Sequence, residues 1–170
     1  MTMTAVSAFL AALGAGSVVS YFVTGAPQRR KSRAEVRRSV LMVERLRMTG
    51  ANDEEYRDAI REVIATALVA RVPRDLVDSY VYSRRASWAL TKEKREERGE
   101  HSPLYISRDV SQYLVAIGEL LVDYLWQPTR TRLRLRQKLR ALSAEREALL
   151  RQDREGHGDG HFLGLRYWDV

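Results

Sequence analysis

Cysteine is missing from this chain of 170 residues. Without a thiol there is no disulfide framework, no thiolate metal site and no cysteine nucleophile, and nothing here is expected to depend on redox state. Catalytic signatures are missing as well. No nucleophile elbow, phosphate loop or dinucleotide fingerprint occurs, and the carboxylates fall on solvated helix faces or at helix starts, so the expectation is a non-enzyme without cofactor. Glycine-bounded β-branched runs and internal repeats are also missing, which leaves an all-α fold.

Charge is missing from one end. Between Met1 and Gln28 no side chain is charged at neutral pH, whereas the overall 30% charge would place about eight there. The expectation is a single transmembrane helix over Ala5 to Ala26, because about 20 helical residues cross a hydrocarbon core of roughly 30 Å. Its apolar residues, among them Phe9, Leu10, Val18, Val19 and Phe22, are diluted by Ala, Gly and Ser. Each contributes only about −0.3 to −0.6 kcal/mol to insertion, so the segment is marginal without help. Help comes from Arg29, Arg30, Lys31 and Arg33, which follow at once and by the positive-inside rule hold the rest of the chain in the cytoplasm, with the N-terminus outside. A signal peptide carries its positive charge on the other side of the apolar segment.

Inside that segment a small residue recurs every fourth position from Thr4 to Thr24. The central four, Ala8, Ala12, Gly16 and Ser20, form a shallow groove on a helix, the pattern that lets two transmembrane backbones approach closely. The partner implied is a second copy or another membrane protein.

The length suits one domain of roughly 100 to 150 residues plus an appendage. Three regions are expected: the transmembrane helix (1–28), a cytoplasmic helical domain (29–155) and a flexible Gly/His loop with an aromatic tail (156–170). The domain should hold about five helices packed as a bundle. Val36, Val40, Val43 and Arg47 trace a helical stripe, with Leu41 and Leu46 beside it and Gly50 as the C-terminal cap. Asn52 caps a second helix whose first turn is acidic and whose face carries Tyr56, Ile60, Val63, Ile64, Ala67 and Leu68. After Pro73 comes a third, with Leu76, Val77, Tyr80, Val81 and Trp88, which loses its apolar face after Leu90. Ser107 precedes the most regular stripe, Val110, Tyr113, Leu114, Ile117, Leu120, Leu121, Tyr124 and Leu125. Beyond Pro128, Leu135, Leu139, Leu142 and Leu149 run at heptad-like spacing, interrupted by Arg146.

The net charge of +7 is not spread evenly. Residues 29–50 and 128–140 carry +6 each, while the other stretches are acidic. The second block, Arg130, Arg132, Arg134, Arg136, Lys138 and Arg140, contains no acid. Such a block attracts anionic lipid of the inner leaflet or nucleic-acid phosphates, or it is neutralised by packing on the acidic middle segment. Stacking aromatics are not interleaved with it, which ranks nucleic acid below lipid.

His157, Asp159 and His161 form the one metal-like cluster, but three glycines surround them and a structural zinc site needs four ligands, so no metal is assigned. Phe162 to Trp168 make an aromatic end that either docks on the bundle or recognises a partner or the membrane interface. Function is therefore expected to rest on protein interaction: a scaffold, adaptor or accessory subunit of a membrane assembly. The alternative is a membrane-tethered nucleic-acid-binding protein using residues 130–140.

Overall fold

The computed structural model describes residues 27–98 and 107–155. Among these residues there are five helices and no strand: α1 (27–49), α2 (Asp53–Val69), α3 (Arg74–Arg98), α4 (Arg108–Trp126) and α5 (Pro128–Arg154). No helix among them is long and apolar enough to cross a membrane. The expected span, its small-residue groove, the histidine cluster and the aromatic tail all lie outside the described residues.

α4 is the centre of the bundle. All eight residues of its apolar stripe are buried, and it packs against α3 on one side and α5 on the other. Burying a side chain of this size contributes about 1.5–3 kcal/mol, so this helix carries a large share of the core. α2 packs on α3. α1 reaches three neighbours: Ser39 Oγ lies 2.9 Å from Thr66 Oγ1 of α2, Tyr80 of α3 donates to Glu44, and the Arg37 guanidinium stacks 4.0 Å from the ring centre of Trp126 in α4.

The turns follow from local chemistry. Asn52 accepts a hydrogen bond from the Glu55 amide at 2.8 Å, as an N-cap should. α1 ends at Gly50, whose φ of 69° continues into a Schellman turn with the Ala51 amide bonded back to Leu46. Between α4 and α5, Pro128 starts the new helix, while the buried Thr131 hydroxyl donates to the Asp123 carbonyl and ties the two helices together.

Several faces differ from the periodicity. Leu41, Ile64 and Leu68 stand exposed, because α1 and α2 each meet neighbours over a narrower arc than their apolar residues cover. Ala59, small and easily overlooked, takes a core position instead. Helix α3 runs to Arg98, beyond its apolar face. Ser107 stands at the N-cap position of α4 without a side-chain capping bond. On α5 only Leu135 and Leu149 are buried; Leu139 and Leu142 are half-buried. Arg146, which breaks that seam, donates to the Tyr82 hydroxyl at 3.1 Å and lies over its ring, so the interruption is a polar contact to α3.

Candidate functional site

The block on α5 alternates basic and other residues, and on a helix this alternation distributes the charges to both flanks of the buried seam through Thr131 and Leu135. All six cations are exposed. Lys138 pairs with Asp123 of α4 at 3.5 Å. Among the described residues the five arginines of the block have no carboxylate partner, and the contact of this face with the acidic middle segment is the Lys138–Asp123 pair.

The basic quartet that follows the uncharged run is itself helical. Arg29, Arg30, Lys31 and Arg33 occupy the first described turns of α1, with Arg33 half-buried and the rest exposed. Folding brings two of them to the basic block. Arg29, Arg33 and Arg132, some hundred residues apart in the chain, line one open cleft of about 580 Å³ together with Gln28, Ser32, Val69, Ala70, Tyr124, Pro128 and Thr129. A fourth guanidinium comes from Arg71, in the turn between α2 and α3. No acidic side chain lines the cleft. Arg30, Lys31, Arg130, Arg134, Arg136, Lys138 and Arg140 are not part of its lining and form the exposed surface beyond it.

Arg71 has an unusual backbone. α2 ends in the same Schellman turn as α1, with the Arg71 amide bonded to the Leu68 carbonyl at 3.1 Å and the Val72 amide to the Ala67 carbonyl at 3.0 Å. The left-handed position is glycine in α1 but arginine in α2, where φ is 54°. A side chain there costs about 1–2 kcal/mol relative to glycine. The strain is held at a residue that lines the cationic cleft beside the other three arginines.

A second polar constellation lies in the core between α1, α3 and α4. Arg84 is only 6% exposed, and its Nε lies 2.5 Å from Glu44 Oε1, a charge contact without the alignment of a hydrogen bond. The same carboxylate accepts from the Tyr80 hydroxyl at 3.2 Å and from Arg47 Nε at 3.1 Å. Tyr56 donates to the Arg84 carbonyl at 2.8 Å. A methyl group on Gly118 of α4 would press into Arg84 Nη2, so glycine makes the room that the guanidinium fills. Burial drives the Tyr56 and Tyr80 hydroxyls to much weaker acidity than usual, and that of Tyr113 up to about 12. None of its residues lines the cationic cleft, and the network reads as a structural lock between helices.

Neither Arg71 nor the Glu44–Arg84 pair is singled out by periodicity. Arg71 carried one local signal, its place two residues before Pro73 at the end of an apolar helix, where a left-handed residue is normal. Arg84 carried none, since a charged residue inside an apolar stripe is ordinarily on the wet side. Among the described residues no group of three or more His, Asp or Glu gathers as metal ligands would. No family model matches the chain, and no curated protein or solved structure matches it either.

Proposed function

We propose that this is a membrane-anchored helical protein that acts by protein interaction, as a scaffold, adaptor or accessory subunit of a membrane assembly. The observation that carries the reading is the uncharged run from Met1 to Gln28, followed at once by four basic residues on a helix that packs into the bundle. In this reading Ala5 to Ala26 crosses the membrane once, the bundle stands in the cytoplasm, and Ala8, Ala12, Gly16 and Ser20 provide the packing face for a second copy or another span. Exposed arginines on α1 and α5 then lie where anionic headgroups are, and each contributes about 1 kcal/mol of attraction near that surface.

Fractionation tests the anchor: the protein should stay with membranes in high salt or alkaline carbonate and leave only with detergent. Release by salt alone would sink the reading. For the packing face, Gly16→Leu should abolish detergent-resistant association while the bundle keeps its helical circular dichroism. Unchanged association would reduce the span to a plain anchor.

A second reading, nucleic-acid binding by the body, draws on the five arginines of the block 130–140, which have no carboxylate partner among the described residues. It predicts salt-sensitive retention of the full chain on DNA or RNA, and no retention at low salt removes it.

A further inference from the structure

We propose that the cleft between α1, the α2–α3 turn and α5 binds a phosphate group through Arg29, Arg33, Arg71 and Arg132. Four arginines from three separate parts of the chain line one open space, and no carboxylate residue is part of that lining. Among the described residues no ion pair involves Arg33, Arg71 or Arg132. Like charges gathered in this way favour the entry of an anion, and the planar fork of arginine can pair two N–H donors with two oxygens of a phosphate group.

Two further features point the same way. Pro128 and Thr129, the first residues of α5, line the cleft, so the positive end of that helix dipole adds to the arginines. Arg71 occupies a left-handed backbone position that α1 fills with glycine, so the fold accepts strain to place this side chain at the cleft.

The surroundings narrow the source of the phosphate. At about 580 Å³ the cleft exceeds what a bare phosphate ion fills and suits a small organic phosphate. Val69 in its lining is 68% exposed, and Trp126 and Leu133, next to lining segments in the chain, are 66% and 87% exposed. Exposed apolar side chains, a tryptophan among them, close in the chain to a cationic cleft are what a bilayer interface favours. Gln28, also in the lining, stands two residues beyond Ala26, so if the anchor reading above holds, the cleft opens at the membrane surface. The ligand chemistry is thus a phosphate ester, with an anionic phospholipid headgroup or a soluble organic phosphate as its source.

The test uses the full chain purified in a neutral detergent. Dioctanoyl phosphatidylglycerol, dioctanoyl phosphatidylcholine, glycerol 3-phosphate and inorganic phosphate are titrated separately, read by native mass spectrometry and by tryptophan fluorescence. One phosphatidylglycerol should bind per chain, saturably. Arg33→Gln with Arg132→Gln should weaken it about twenty-five-fold, from roughly fivefold per arginine. Arg57→Gln with Arg108→Gln, which removes the same charge outside the lining and outside both basic blocks, should change it less than about twofold. Arg71→Gly is the most telling variant: it relieves the backbone, so it should raise the melting temperature while weakening binding, and a loss there is not unfolding.

Tighter binding of phosphatidylglycerol than of glycerol 3-phosphate identifies the lipid as source, and equal binding of both identifies a soluble ester; either supports the site. No saturable binding of any probe, or equal loss in the cleft and control variants, overturns it. Because the assay runs in detergent, failure of the anchor reading in the fractionation test leaves this result intact, and the two are distinguishable.

Discussion

Removing either partner of the Glu44–Arg84 pair should affect the fold very differently. Arg84 is almost fully buried, whereas the Glu44 side chain is 29% exposed. In Glu44→Ala the guanidinium loses its ion-pair partner and keeps the Tyr80 ring, 5.0 Å from its centre, while the buried Tyr80 hydroxyl loses its acceptor. Breaking a buried pair from one side costs about 3–5 kcal/mol; the partial exposure of Glu44 lets water reach the site and holds the loss near the lower end, about 3 kcal/mol. Arg84→Met removes the buried charge, keeps most of the volume and leaves a carboxylate that solvent can hydrate. Its loss should be about 1 kcal/mol or less. Thermal and urea unfolding by circular dichroism would show the first variant melting about 10 °C below the parent and the second only a few degrees below. The double variant should be more stable than Glu44→Ala alone, because it removes the orphaned charge. If Arg84→Met is the more damaging single change, or if the two losses simply add, the pair is not the lock argued here.

Three other outcomes follow from particular residues. Asp53 accepts from Lys92 Nζ at 2.7 Å and from Trp88 Nε1 at 2.9 Å, and these bonds hold its carboxyl below the usual aspartate value of 3.8. A depressed folded value means stability present above the unfolded pKa and lost as pH falls below about 4, so Asp53→Asn should lower the urea midpoint at pH 7 but not at pH 2.5. The raised Tyr56, Tyr80 and Tyr113 hydroxyls give the opposite dependence: stability is complete below pH 10 and falls above it, so absorbance at 295 nm should show three tyrosines ionising only as the fold is lost. Gly50→Ala places a side chain at φ 69° and should cost about 1 kcal/mol, a shift of a few degrees in melting temperature. A neutral Gly50→Ala would mean that the α1 turn relaxes to another conformation.

Much of the fold is legible in one dimension where a helix is amphipathic over its whole length. The eight-residue stripe of α4 is the clearest case, since every position read as apolar and inward is buried. Asn52 and Gly50 were readable for a similar reason: capping chemistry acts within four residues. Outer helices were less legible. Leu41, Ile64 and Leu68 match the spacing of a core face but are exposed, because spacing gives a face and not the width of the surface that covers it.

The candidate site divides in the same way. Its two charge blocks, their magnitude and their lack of acids are properties of the sequence, as is the uncharged run ahead of Gln28. That Arg29 and Arg33 meet Arg132 at all, and that the remaining cations of both blocks stay outside the cleft, was decided by tertiary packing, which sets the start of α5 beside the first described turns of α1. Arg71 entered only there. Its role depends on a left-handed turn aiming one side chain toward two distant helices, and Arg84 likewise became a core residue only because Glu44 and Gly118 come to it from α1 and α4. Periodicity and capping are local and survive in the sequence; the meeting of distant charges is a contact between elements, and no local pattern encodes it.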